Sequence, residues 1–174
     1  MLKEINNRLE TSIQESQSKL IRCDITGLYN FSFFKNYLAS EINSILIDSS
    51  GQNPGLIIIS LDNIERIEYL YGHDEVEEIQ RNVVFLLESL KTGNEIFFKL
   101  QGVVFACYLP QTSKEAAQAF AEKIRNTIVA SEKFIEKITA SIGLALLSEI
   151  HATAEHSENP AEGFYNVAAM RARI

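Results

Sequence analysis

The stretch from Glu95 to Pro110, Glu-Ile-Phe-Phe-Lys-Leu-Gln-Gly-Val-Val-Phe-Ala-Cys-Tyr-Leu-Pro, constrains the fold of this chain more than any other. Two β-prone runs, Ile96–Leu100 and Val103–Leu109, flank Gln101-Gly102. A glycine there supplies the positive φ that a tight turn needs. The pattern predicts a hairpin with an apolar inner face. Its tip offers Val103 and Val104, which carry no atom able to bind a metal or move a proton.

The rest of the chain must cover that hairpin. With 174 residues, 46% of them apolar, there is material for one ordinary core without metals or disulfides. The net charge of -7 argues against a nucleic-acid backbone or an anionic membrane as partner. Cys23 and Cys107 have no metal-ligand spacing, and Cys107 falls inside a strand pattern as a small apolar residue. A reducing, cytoplasmic setting is expected. Lys3 and Glu4 follow Met1 and Leu2, without the apolar segment of a signal peptide, and apolar runs such as Leu56–Ile59 are far too short to span a bilayer.

Residues 1–23 place Leu2, Asn6, Leu9, Ile13 and Leu20 at spacings of four, three, four and seven, an amphipathic helix. Two arrangements fit. One is a short parallel coiled coil in which Asn6, at an inward position, fixes register and pairs two copies. The other is a helix packed on its own domain. The turn cluster Asp24–Asn30 follows. A second helix over 31–48 shows Phe33, Phe34, Tyr37, Leu38, Ile42, Ile45 and Leu46 on one face. Leu56–Leu61 reads as a central strand, residues 63–71 as a short helical turn, and Asp74–Lys91 as a third helix. Beyond the hairpin, Ser113 caps a fourth helix, Thr139–Leu146 is a strand, residues 148–159 are a polar loop, and Asn159-Pro160 starts a last helix carrying Phe164, Val167 and Met170. The order predicts an α+β fold with a mostly antiparallel sheet of about five strands flanked by helices.

Five motifs in order carry a resemblance over residues 24–174. They are Asp24-x-Thr26-Gly27-Leu28-x-Asn30; Leu61-x-x-Ile64-x-x-Ile67 leading to Tyr71-Gly72-His73; Lys99–Phe105 ending in Leu109-Pro110; Ala140–Ala145; and Gly163-Phe164-Tyr165-Asn166. Together they resemble the GGDEF domain of the diguanylate cyclases. The resemblance implies a ferredoxin-like, nucleotide-cyclase palm, preceded by a signalling helix. It also implies the family's chemistry, in which two domains face each other with one GTP each and join them into cyclic di-GMP by 3′-hydroxyl attack on the α-phosphate. There, metal ions bridging the phosphates take hard carboxylate oxygens from the first strand and the hairpin tip.

Matched position by position, this chain departs from that pattern. Ser60 stands at the first-strand Asp. Gln101, Gly102, Val103 and Val104 stand at the Gly-Gly-acid-acid tip. Glu68 and Glu77 stand at the guanine-reading positions, and Ala168 and Ala172 at the phosphate grips, with Arg171 and Arg173 nearby. The inhibitory-site pair falls at Thr92 and Glu95, without its arginine, while Asp62 is retained. The resemblance therefore leads to the expectation of a domain that is not an enzyme, holds no metal or cofactor, and signals through protein–protein contact. Its partner would be a second copy through the N-terminal helix, most simply as a homodimer, or another signalling protein, without nucleic acid or membrane insertion. The alternative is a nucleotide receptor for GTP or cyclic di-GMP built on Gly102, Asp62, Arg171 and Arg173, and a weak phosphohydrolase is a third reading. More ordinary roles stand beside these. Asp62 suits a strand end, His73 a local turn bond, His151 and His156 a solvated loop, and Glu75, Glu77 and Glu78 the acidic start of a helix.

Overall fold

The computed structural model describes residues 19–48, 51–153 and 159–173, together with 5, 16 and 17. The elements are α1 (Phe31–Asp48), β1 (Gly55–Leu61), α2 (Ile64–Tyr71), α3 (His73–Leu90), β2 (Ile96–Lys99), β3 (Val104–Leu109), α4 (Lys114–Ala130), β4 (Ala140–Leu146), α5 (Leu147–Thr153) and α6 (Pro160–Arg171). No described helix is long and apolar enough to cross a membrane.

The apolar run of β1 is central because both its neighbours bury it. The strand order is β2-β3-β1-β4, and every pairing is antiparallel. The described sheet thus has four strands where about five were expected. Alternation along β1 sends Ile57, Ile59 and Leu61 to one face, under α2, α3 and α4, and Leu56 and Ile58 to the other, under α1, α5 and α6. Burial on both faces explains why the strand reads as unbroken apolar sequence rather than alternating polar and apolar.

Local chemistry places the helices. The Asn30 carboxamide oxygen accepts from Phe33 N at 3.0 Å and starts α1. Ser113 Oγ accepts from Ala116 N at 3.1 Å to start α4, and Asn159 Oδ1 accepts from Glu162 N, with Pro160 opening α6. The Asp24–Asn30 cluster is a turn with Gly27 at φ 72°. It brings Tyr29 alongside β2, where Tyr29 O accepts from Lys99 N at 2.8 Å and so covers that edge of the sheet.

Two expectations change. The polar loop over 148–159 begins instead as helix α5, because Leu147 and Ile150 bury themselves on the α1 face. In α6, Met170 points outward, 75% exposed, while Ala161, Phe164, Ala168 and Ala169 are buried, and Ala168 and Ala172 press on Gly143 of β4. Small side chains let this helix lie closer to β4 than Met would allow. Of the N-terminal helix residues, Leu2, Asn6, Leu9 and Ile13 lie outside the described residues; Leu20 is 74% exposed. The side chain of His151 and the whole of His156 also lie outside the description.

Candidate functional site

The tip of the β2–β3 hairpin is built by a buried cation. Lys99 pairs with Phe105, Leu100 N donates to Val104 O at 2.9 Å, and Gly102 turns the chain at φ 60°. Lys99 is only 6% exposed. Its Nζ donates to Leu100 O at 2.8 Å and to Gly102 O, and lies 5.4 Å over the Phe105 ring. Burial pushes the ammonium pKa below its ordinary value, with Cys23 opposing. Lys99→Met keeps the stem but strips the donors from two carbonyls, and a loss of about 1–3 kcal/mol is expected in urea unfolding. A base whose folded pKa is depressed leaves the unfolded chain holding more protons as pH approaches 10.5 from below. Wild-type stability should therefore rise relative to Lys99→Met across that window.

The valines at the tip are only partly exposed. Val103 is half-buried against the α2–α4 face and Val104 against the α1 face, leaving Gln101 and Gly102 exposed. Adjacent residues of a strand point to opposite faces, so each β-branched side chain folds over one side of the sheet.

Behind the tip, Ser60 is half-buried on β1, in register with Val104 on one side and Ser141 on the other. The Asp62 carboxylate accepts from Thr139 Oγ1 at 2.6 Å and from Ser141 Oγ at 2.8 Å, while Asp62 N donates to Thr139 O. It acts as a clamp tying the end of β1 to the start of β4. In the sequence Thr139 and Ser141 belong only to a strand pattern; the one signal of their bonds to Asp62 is that hydroxyls begin a strand that must pair with β1.

Glu68 and Glu77 are brought together through His73. Its Nδ1 lies 2.8 Å from Glu68 Oε1 and its Nε2 3.7 Å from Glu77 Oε1, on the exposed corner between α2 and α3. Among the described residues no group of three or more His, Cys, Asp or Glu is arranged to hold a metal ion. The bond to Glu68 raises the His73 pKa above 6.5. An imidazole titration by NMR should therefore show a value above 6.5 that falls toward it in Glu68→Gln.

The remaining positions scatter. Ala168 and Ala172 are buried on the sheet, and Arg171 bonds Glu149 at 2.7 Å and Leu144 O at 2.6 Å at the β4 edge. Arg173 is exposed. Glu95 closes a local turn, accepting from Thr92 Oγ1 at 2.8 Å and Gly93 N at 2.7 Å, which lowers its pKa against the opposing effect of burial.

The sequence profile described as "Diguanylate cyclase, GGDEF domain" matches residues 20–166. The chain belongs to the GGDEF family. Over 122 residues it is 30% identical to diguanylate cyclase DgcM of Escherichia coli (strain K12), a match covering 70% of this chain and 29% of that protein. Over 166 residues it is 24% identical to response regulator PleD of Caulobacter vibrioides (strain NA1000 / CB15N), covering 91% of this chain and 34% of that protein. The GGDEF domain thus spans about a third of the length of these relatives. Its fold is similar to the coiled coil and GGDEF domain of DgcB from Caulobacter crescentus in complex with c-di-GMP. That comparison has a TM-score of 0.79 at 16% identity and covers 97% of this chain and 87% of that one. Diguanylate cyclase SiaD in complex with its activator SiaC from Pseudomonas aeruginosa matches at TM-score 0.74 and 19% identity, covering 99% of this chain and 65% of that one.

One expectation is overturned by these matches. The absence of carboxylates at Ser60, Val103 and Val104 led to a domain that is not an enzyme, yet the family is one of enzymes and relatives bear the name diguanylate cyclase. Substitutions read against a motif do not by themselves take a chain out of its enzyme family.

Proposed function

We infer that this GGDEF domain works in cyclic-di-GMP signalling through contact with protein, either a second copy or another signalling protein. The observation that carries the reading is the run Tyr69-Leu70-Tyr71 at the end of α2. Tyr69 is 88% exposed, Leu70 50% and Tyr71 44%. Consecutive large apolar side chains in water are a binding surface in waiting, and tyrosine is enriched where proteins meet. The run is also held in place. Tyr71 Oη donates to Glu136 at 2.9 Å, and Arg66 bonds the same carboxylate at 3.2 Å. The solved complex of SiaD with its activator SiaC offers a precedent for protein contact in a similar fold. The reading holds whether or not the domain turns over GTP.

The test is expression in a cell that makes cyclic di-GMP, with the nucleotide level measured beside a GTP turnover assay on the purified protein. The wild type should shift the level, and Tyr69→Ala/Leu70→Ser should not. The double variant should keep its stability to within roughly 0.5 kcal/mol per site, because both side chains are exposed. An equal shift from both proteins would sink the reading.

A further inference from the structure

The negative charge of this chain is concentrated. Residues 64–78, which form α2, its turn and the start of α3, carry Glu65, Glu68, Asp74, Glu75, Glu77 and Glu78 against Arg66. Six acids against one arginine leave this stretch with five of the seven net negative charges of the chain, His73 counted neutral. The arginines nearest in sequence are already engaged. Arg66 bonds Glu136 at 3.2 Å, and Arg81 bonds Glu78 at 3.0 Å and Glu77 at 3.4 Å. The segment 131–137 sets Glu132 and Glu136 against Lys133 and Lys137 and so leaves the balance as it was.

Amid this charge stand the exposed side chains of Tyr69, Leu70 and Tyr71. Ile135 adds exposed apolar surface next to Glu136, which accepts from Tyr71. A helix presents side chains rather than a backbone ladder, so a partner meets α2 as one helix meets another. Tyr69 and Glu65 are four residues apart in α2 and share a face. A guanidinium laid on the Tyr69 ring comes within reach of that carboxylate, a stacked and charge-assisted contact that suits arginine better than lysine. Leu70, beside it, calls for an apolar side chain.

We propose that the α2–α3 corner docks a cationic amphipathic helix of another protein, with an arginine on Tyr69 and Glu65 and an apolar side chain on Leu70. This rests on the reading of the domain as one that acts by protein contact, and it selects between the two partners that reading allows. Charge makes the selection. A two-fold axis through this corner sets the same carboxylates of two copies against each other, and like charges brought together at an interface repel. A cationic helix is instead steered in by the same field. The apolar side chains alone would accept either partner, and the acids around them discriminate.

The test is titration of the purified protein with synthetic peptides about five helical turns long, followed by calorimetry and amide NMR. One peptide carries leucines on one face and arginines on the other. A second has the same composition in an order that forms no face, and a third has glutamate for arginine. The first should bind with a Kd of roughly tens of micromolar and shift the Tyr69–Tyr71 amides, and the other two should bind at least about tenfold more weakly. Tyr69→Ala/Leu70→Ser should weaken the first peptide at least about tenfold, and Glu65→Gln about threefold. Glu65 is exposed, so this second variant keeps its fold. Raising salt from about 0.05 M to about 0.5 M should weaken binding about tenfold. Equal binding of the faceless peptide would reduce the attraction to bare charge and overturn the proposal. So would no binding, or binding that leaves the Tyr69–Tyr71 amides unmoved. A dimer in sedimentation that Tyr69→Ala/Leu70→Ser dissolves would overturn it too. These outcomes do not depend on the cellular nucleotide level, which alone decides whether the domain acts by protein contact.

Discussion

Phe98→Ala should lower the unfolding free energy by about 3–5 kcal/mol. Phe98 has no exposed surface and lies where α1 meets the hairpin. Its ring centroid is 5.1 Å from Phe34 in an edge-to-face pair, 5.6 Å from Tyr37 and 6.0 Å from Tyr29. Truncation removes the transfer free energy of the ring and leaves a hole that three aromatic neighbours, themselves held by backbone bonds and further ring contacts, cannot close. Since a domain this size has about 5–15 kcal/mol in all, the variant should sit near the edge of folding. Urea unfolding followed by far-ultraviolet circular dichroism measures it. Phe98→Leu, which keeps much of the volume, should cost less than the alanine. Equal stability of Phe98→Ala and wild type would show that the aromatic cluster does not hold α1 to the sheet.

Gly143→Ala is the second large effect, expected at about 3 kcal/mol or more, the upper range for overpacking. A Cβ on Gly143 would lie inside the contact radius of the Ala168 carbonyl oxygen and the Ala172 amide nitrogen, and 2.9 Å from the Arg171 carbonyl carbon. These are backbone atoms of α6 and cannot rotate away as a side chain can. The helix must lift off β4, which opens the buried contacts of Ala168 and Ala172. The same unfolding assay reads the loss, and an unchanged midpoint would show that α6 slides without penalty. Gly27→Ala offers a contrast. Gly27 has no atom within 4 Å of its would-be Cβ, so only its left-handed backbone is strained.

These two positions show where sequence reading reached. Phe98 stood in an apolar run beside a turn and was readable as core from its pattern alone. Gly143 lay in a strand motif with nothing to say that a helix backbone would press on it. The caps at Ser113 and Asn159 were legible because a cap is a bond across three residues. Helix α5 was not, because its polar surface hides two inward residues, Leu147 and Ile150, whose burial depends on α1. In the candidate site, Asp62 was legible as a strand-end residue, but its clamp on Thr139 and Ser141 joins groups far apart in the chain. The meeting of Glu68 and Glu77 at His73 required the corner between α2 and α3 to exist first. Val103 and Val104 were legible as residues without chemistry, yet their orientation, one to each face, followed from the pleat.

Sequence by itself determined the spacing of apolar residues, the turn glycines and the caps, because each is an interaction between neighbours along the chain, and these suffice for the family and for the order of elements apart from α5. Only the tertiary structure decided the order in which the described strands lie, that Lys99 supports the hairpin from beneath, and that Ala168 and Ala172 pack against β4. Those outcomes depend on which faces press together, a balance of volume and hydrogen bonding across distant segments that no local pattern encodes.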